Sequence, residues 1–344
     1  MKKNKSNFFI NILIILVVLV IVLYFSLKDD YKTIINSILN MNLLWVLGAM
    51  ILFCLYRVLI ALSIYHLAKI NGEKVRLTRC IQMSFIILFF HGITPFAGGG
   101  QPMEIYYLHN EKISVTKSTN IVLQNFIVYQ IALVIIGLLA LIYNYFYKLF
   151  PSNSLIKQLV ILGFTINFLV LVVTYILAFG KKINHFICNK VLSLLGKIGI
   201  VKNVSEKRTN LNTYLKNFHK NALKLKKEKM QVVLLVLLNM LALTTLYTVP
   251  YTVSRGLGIN SISIINTIIS SAYVMTIGSF VPIPGGTGGI EYGFVFFFGH
   301  LISGSIVNAI MLVWRFITYY LGVIAGAIFL ALYKKEDNHE NRNL

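Results

Sequence analysis

The sequence predicts an all-α integral membrane protein with six full spans, two oppositely oriented re-entrant broken-helix segments and an inverted-topology repeat. Three observations carry this. The 344 residues are 57% hydrophobic and only 12% charged, whereas a soluble domain is about half apolar and about a quarter charged. Long apolar runs recur along the chain. Two proline- and glycine-rich stretches, TPFAGGGQPMEIYY at 94–107 and VPIPGGTGGIEYGF at 281–294, align without a gap. Residues 1–344 read as a single polytopic membrane domain. Its repeat halves cover about 43–147 and about 230–333, and a basic cytoplasmic loop at 181–229 lies between them.

The first apolar run, 8–27, is twenty residues without a charge, enough to cross a bilayer as a helix. Lys2, Lys3 and Lys5 precede it as in a signal peptide. The run is long and no small-residue cleavage site follows, which predicts an uncleaved span. Runs at 43–68, 118–147, 155–179, 230–251 and 305–333 supply five more spans. Shorter runs at 80–93 and 262–280 each end at a Gly/Pro break and resume for about a dozen residues.

Loop charge orients these segments, because cytoplasmic loops concentrate Lys and Arg. The basic N-terminus is expected inside, which puts Lys28 to Lys32 outside, and Lys69, Lys74, Arg76 and Arg79 return the chain to the cytoplasm. The 181–229 loop holds thirteen Lys/Arg against two Glu and is expected inside. Counting back through two full spans also puts Glu111, Lys112 and Lys117 inside, so the first broken segment enters from the cytoplasm and returns to it. With Lys334 and Lys335 inside, the second enters and leaves on the outer side, and both termini are cytoplasmic. Irregular backbone at membrane depth is tolerated where it is buried in protein or lines a wet cavity. Two such loops from opposite faces predict a site near the midplane.

A shift of 187 residues superposes Pro95 on Pro282, Gly98 and Gly99 on Gly285 and Gly286, and Glu104 on Glu291. The same shift carries Leu43 to Met230 and Ser118 to Ser305, the starts of the flanking spans. Four of the six prolines lie in the two motifs. Flanking spans that run in opposite directions make this an inverted repeat, a common transporter architecture.

In the basic loop, Ile183, Phe186, Ile187, Val191, Leu194, Leu195 and Ile198 recur at helical spacing among Lys182, Lys190 and Lys197. Leu211, Tyr214, Leu215, Phe218, Ala222 and Leu225 form a second stripe. Both suit basic amphipathic helices on the anionic inner leaflet, or a helical hairpin packed on the cytoplasmic ends.

Nine of the eleven acidic residues belong to loops or tails; Glu104 and Glu291 are the exceptions. A carboxylate in a membrane interior is costly and faces a partner, a cavity or a proton path. Each Glu can instead cap the helix after its glycine turn, with Pro102 at a first helical position. Gly98, Gly99, Gly100, Gly285, Gly286, Gly288 and Gly289 let backbone N–H groups approach an anion, or simply allow close helix packing. Arg57 and Arg315 fall near the middles of two spans. They are candidates to neutralise the carboxylates or to grip a lipid phosphate. Gln101, Gln124, Asn125 and Thr287 add polar groups near the motifs. His91, His109 and His300 are isolated and read as helix-end or packing residues.

Soluble-enzyme signatures are absent. GGTGG lacks the Lys-Ser/Thr of a phosphate-binding loop, and no HExxH, CxxC or GxSxG occurs. Cys54, Cys80 and Cys188 share no metal-ligand spacing. No cofactor, catalytic residue, metal or nucleic-acid partner is expected, although net charge is +21. In this chain that charge reports topology and anionic lipid.

TPFAGGGQPMEIYYL, VPIPGGTGGIEYGF and the late Trp314-Arg315 resemble the flippase-like membrane domain of the lysylphosphatidylglycerol synthase family, which also occurs alone in bacterial and archaeal membrane proteins. The resemblance covers nearly the whole chain. It implies a multi-pass plasma-membrane protein that moves aminoacylated phosphatidylglycerol, or a related anionic or polyprenyl lipid, between leaflets. Full-length members add a cytosolic domain that transfers the aminoacyl group from tRNA. The sequence stops eleven residues after Tyr333, so lysyltransferase activity is not expected from this chain alone. Glu104 and Glu291 are expected to meet a cationic or hydroxylated headgroup, with Arg57, Arg315, Gly98, Gly99, Gln101, Gly285, Gly286 and Thr287 around it. Two alternatives stand beside the translocator: a lipid-modifying membrane enzyme with Glu104 or Glu291 as base, and a subunit that recruits a separate aminoacyl-lipid synthase.

Overall fold

The structure, a computed structural model, describes residues 31–150, 154–197, 204–302 and 304–340. Apart from short turns, these residues form helices and no strand. The expected first span, 8–27, lies outside the described residues. Among the described residues, five helices are long and apolar enough to cross a membrane, at Leu43–Ile70, Val115–Tyr147, Lys157–Phe179, Lys229–Gly256 and Ile306–Tyr333. They match the five later runs of the sequence.

In chain order the helices are α1 (Tyr31–Leu39), α2 (Leu43–Ile70), α3 (Leu77–Ile93), α4 (Gly100–Asn110), α5 (Val115–Tyr147), α6 (Ser154–Phe179), α7 (Lys181–Lys197), α8 (Val204–Lys227), α9 (Lys229–Gly256), α10 (Ile264–Gly278), α11 (Gly289–Gly299), α12 (Ile306–Arg315) and α13 (Leu321–Glu340). Short 3-10 turns at Pro95–Ala97 and Pro284–Gly286 join α3 to α4 and α10 to α11. A π turn at Phe316–Tyr320 interrupts the last span just after Arg315. Such widened turns are rare and are frequent at functional sites.

The span starts are set by local chemistry. The Asn42 side chain accepts from Leu44 N at 3.0 Å and caps α2. The Ser263 side chain caps α10 by accepting from Asn266 N at 3.1 Å. α9 contains Pro250, which interrupts the helical ladder. Close to the interruption, Ser271 of α10 donates to the Tyr247 carbonyl at 3.0 Å, the kind of repair that lets proline persist in a span.

Long apolar stripes then pack helix on helix. α2 and α9, the spans that open the two halves, form the most extensive helix pair, and α3 lies against α13. One apolar cluster joins Phe53, Leu243, Phe294, Phe297 and Trp314; a second joins Leu67, Ile86, Leu108 and Ile121.

The two broken segments are hairpins rooted at opposite ends of α5. At its first turn, Lys117 is ion-paired with Glu73 just after α2. Nearby, Arg79 Nε at the start of α3 lies 3.5 Å from Glu111 Oε1 at the end of α4, so that hairpin begins and ends together. At the far end, Tyr143 donates to Asn266 at the start of α10 at 3.0 Å. Phe150 meets His300, which follows α11, with ring centroids 6.2 Å apart. The tips of the two hairpins touch each other between these ends.

The basic loop divides its two stripes differently. α8 buries Leu215, Phe218 and Ala222 where it packs on α5 and α9, the hairpin alternative of the sequence reading. α7 leaves Ile183, Phe186, Ile187, Val191 and Leu194 exposed. Of the expected stripes, Ile198 lies outside the described residues, and the side chains of Leu195 and Leu225 are not described.

Candidate functional site

Each hairpin tip is a helix stop written into the sequence. Thr94 and Ile283 are extended, the backbone that the following Pro95 and Pro284 favour in the residue before them. At the first tip Phe96 and Ala97 take positive φ values of 52° and 53°, a conformation uncommon outside glycine. Thr94 fastens that turn: its hydroxyl donates to the Phe90 carbonyl at 2.6 Å and accepts from Gly99 N at 2.9 Å. At the second tip Gly285, Gly286 and Gly288 supply the positive φ instead.

The gapless alignment is therefore not the structural one. The turns begin at Pro95 and Pro284, and the following helices at Gly100 and Gly289. Both offsets are two residues longer than the 187 that superposes the two glutamates. Glu291 is the third residue of its helix and Glu104 the fifth. The third position can reach back to the helix start, and Glu291 Oε2 accepts from Gly288 N at 2.6 Å, which caps the helix from the glutamate side alone because Gly288 has no side chain to return the bond. Glu104 caps nothing, and Pro102 is the third helical residue, not the first.

The charges differ accordingly. Glu291 and Arg315 are 5% exposed each and form an ion pair, Arg315 Nε donating to Glu291 Oε1 at 2.6 Å. Arg315 Nη2 donates to the Gly285 carbonyl at 3.1 Å and lies 3.4 Å from Thr287 Oγ1. The guanidinium also sits 4.5 Å from the Tyr319 ring centroid, a cation–π distance. Gly285, Thr287 and Gly288 belong to the second tip and Tyr319 to the widened turn beside Arg315.

In the first half, Glu104 is 6% and Arg57 4% exposed. Arg57 comes from α2, not from the span after the motif, and donates to the Ser84 carbonyl. Its Nε and Glu104 Oε1 have no hydrogen-bond partner. No cation follows Lys117 in α5; Glu104 is instead offset through space by Arg57 of α2. Buried amides extend from this region: Ser63 donates to Asn125 at 2.8 Å, Asn239 to Ser63 at 3.0 Å, and Asn71 to Gln124 at 2.8 Å.

Between the tips lies a cavity of about 690 Å³, within the size range of small-molecule sites. Its wall is largely aromatic, with Tyr56, Phe126, Tyr129, Tyr247, Trp314 and Tyr319 among the lining residues. Polar groups enter at Gln130, Asn167 and Ser279, where Asn167 Nδ2 donates to Ser279 Oγ at 2.8 Å. Among the described lining residues, Arg315 is the sole Lys, Arg, Asp or Glu.

Of the residues singled out in the sequence, the structure brings Arg315, Gly285 and Gly286 to the cavity, with Thr287 and Glu291 directly behind. Glu104, Arg57, Gly98, Gly99 and Gln101 are not lining residues. Several glycine amides are engaged by the turns themselves: Gly98 N donates to the Pro95 carbonyl and Gly286 N to the Ile283 carbonyl. Close approach is what most of these glycines permit. A Cβ at Gly100 would overlap the His91 ring, one at Gly285 the Tyr319 ring, and one at Gly289 Val281. His91, His109 and His300 all sit at helix ends, as expected: His109 and His300 bond the Ile113 and Phe296 carbonyls, and His91, in the last turn of α3, also lines the cavity. Sequence reasoning passed over the cavity tyrosines, which no periodicity separates from core aromatics. It also passed over Gln130 and Asn167, whose signal was an isolated amide inside an apolar span.

Two comparisons bear on these features. Residues 9–326 match the family described as the lysylphosphatidylglycerol synthase TM region. The chain is also 23% identical over 304 residues to a UPF0104 membrane protein of Archaeoglobus fulgidus, an alignment covering 83% of this chain and 86% of that protein.

Proposed function

The chain belongs to the lysylphosphatidylglycerol synthase TM region family, and on that premise we propose that it moves an anionic phospholipid between membrane leaflets through the cavity at the two tips. The observation that carries this reading is the pairing of an aromatic-walled cavity of about 690 Å³ with one cationic lining residue, Arg315. Tyrosine and tryptophan walls accept acyl and glycerol groups, and a guanidinium matches phosphate in a bidentate way. The family's name points to aminoacylated phosphatidylglycerol as the lipid class.

In this reading the hairpins are re-entrant, rooted at opposite membrane faces and meeting at the cavity. Their inverted arrangement lets one site open to either leaflet in turn. A phosphate arriving at Arg315 competes with Glu291 for the guanidinium, so the ion pair acts as a latch that lipid releases. Glu104 lies outside the cavity wall and is reached only by a rearrangement of the first hairpin. It then offers a negative partner for the amino group of an aminoacylated headgroup.

The test is leaflet transfer in liposomes holding purified protein, with lysyl-phosphatidylglycerol followed by an impermeant amine reagent. Wild type is expected to transfer the lipid. Arg315→Gln is expected to slow transfer at least tenfold, the rate equivalent of about 1.4 kcal/mol. Glu291→Gln should slow it more than Glu104→Gln does. No transfer of this lipid or of phosphatidylglycerol by folded wild type, above empty liposomes, would overturn the reading.

A further inference from the structure

α7 is amphipathic in the opposite sense to a soluble hairpin helix. Its polar face is the one packed against protein. His185 Nδ1 lies 3.1 Å from Asn212 Oδ1 of α8, and Asn189 Nδ2 donates to the same oxygen at 3.3 Å. Arg208 Nη2 donates to Ser193 Oγ at 2.7 Å, and the His185 and His219 rings stack with centroids 6.4 Å apart. Burial holds His219 below the ordinary histidine range, with smaller pushes from His185 and Lys181 against a pull from the Ala178 carbonyl.

The apolar face points outward. Ile183, Phe186, Ile187, Val191 and Leu194 are 46%, 67%, 44%, 48% and 50% exposed. They follow helical spacing, so they form one continuous stripe. An apolar stripe turned to water forfeits about 25 cal/mol for each Å² that burial would remove from solvent. A folded chain does not place its polar side inward and its apolar side outward unless something apolar covers the latter.

Two further features say what covers it. α7 leaves α6 at a tight corner: Gly180 N still donates to the Ile176 carbonyl at 2.7 Å, and Asn184 N donates to the Gly180 carbonyl at 2.9 Å. The stripe therefore continues from the exposed Val173, Tyr175 and Leu177 of a membrane-spanning helix. The helix also carries no Asp or Glu in its sequence KKINHFICNKVLSLLGK. Lys181, Lys182 and Lys190 are exposed along it, and Lys190 Nζ sits 5.5 Å from the Phe186 ring centroid.

We propose that α7 is an interfacial helix whose Ile183, Phe186, Ile187, Val191 and Leu194 enter an anionic lipid surface while Lys181, Lys182 and Lys190 engage its headgroups. This surface is separate from the cavity and does not depend on lipid transfer. Partial insertion of the apolar face with lysines at headgroup level is the usual balance for such helices, and each surface lysine adds electrostatic attraction to anionic lipid. α8 is the clamp that fixes its angle, through contacts to the polar face.

The test uses the full chain in nanodiscs holding one copy, with Cys54, Cys80 and Cys188 replaced by alanine. Nitroxides are attached at Phe186→Cys, Ile187→Cys and Val191→Cys, with Val173→Cys as the membrane reference. Accessibility to oxygen is compared with accessibility to a water-soluble nickel chelate. The expected result is oxygen-dominated accessibility at all three positions, close to that at position 173. Replacing phosphatidylcholine with a phosphatidylglycerol mixture should raise the oxygen preference. Lys181→Gln, Lys182→Gln and Lys190→Gln together should remove that increase. Nickel-dominated accessibility at 186, 187 and 191 would overturn the proposal, as would protection from both reagents, which would mean that protein covers the stripe. An oxygen preference unchanged by phosphatidylglycerol would overturn the anionic part of it.

Discussion

Replacing Arg315 with methionine is expected to lower stability by about 3–5 kcal/mol, the cost of leaving one partner of a buried ion pair uncompensated, and to abolish lipid transfer. Arg315 holds Glu291 by a 2.6 Å bond at a site where both residues are 5% exposed. Without the guanidinium, Glu291 keeps only the Gly288 amide as a donor. Glu291→Gln should be milder, because the amide oxygen still accepts from either donor and Arg315 retains the Gly285 carbonyl and the Tyr319 ring. The double variant Arg315→Met with Glu291→Leu should recover much of the stability, since apolar residues of similar volume replace a buried pair at little cost. It should not recover transfer. Thermal unfolding in detergent, read beside the liposome assay, separates the structural role of the pair from its role toward lipid.

Gly285→Ala is the second large effect. Gly285 has φ +68°, and a Cβ there would overlap the Tyr319 ring. Left-handed backbone costs a non-glycine residue about 1–2 kcal/mol, and forced overpacking adds about 1–3 kcal/mol. The variant should lose stability by the sum of the two and shift the Tyr319 ring beside Arg315. Adding Tyr319→Leu should return the steric part and leave the backbone part. Gly98→Ala is the internal control: Gly98 has an ordinary φ of −71°, and its Cβ would stand 3.4 Å from the Pro95 carbonyl oxygen. Unfolding midpoints should fall sharply for position 285 and little for position 98, although the sequence alignment makes the two glycines equivalent.

That contrast shows where the sequence was legible. Long apolar runs identify spans because helix in hydrocarbon requires length and apolarity, and the five later runs match the structure. The breaks were visible as Gly/Pro interruptions after the runs 80–93 and 262–280, although the gapless alignment paired Pro95 with Pro282 and the second turn begins at Pro284. The alignment of the glutamates was visible too, but its meaning was not. Two residues of difference in where each turn begins carry Glu291 to a capping position and leave Glu104 half a turn further on. Linear spacing cannot register that shift. Arg57 and Arg315 looked alike as mid-span arginines; only packing shows that one meets a carbonyl and the other a carboxylate. The stripes of α7 and α8 looked alike as well. Which of them packs inward depends on tertiary contacts, and here the polar face of α7 took the protein side.

The central claim is that the cavity beside Arg315 holds phospholipid by its anionic headgroup. A photoreactive amino acid at Leu133, which lines the cavity, tests this most directly, with Leu139, 51% exposed on the same helix, as the lipid-facing reference. In membranes of mixed lipid, position 133 should capture phosphatidylglycerol-type lipid in clear excess over phosphatidylcholine, and Arg315→Gln should remove that excess. Position 139 should capture both in proportion to their abundance. Capture at 133 that mirrors bulk composition, or is unchanged by Arg315→Gln, would contradict the account.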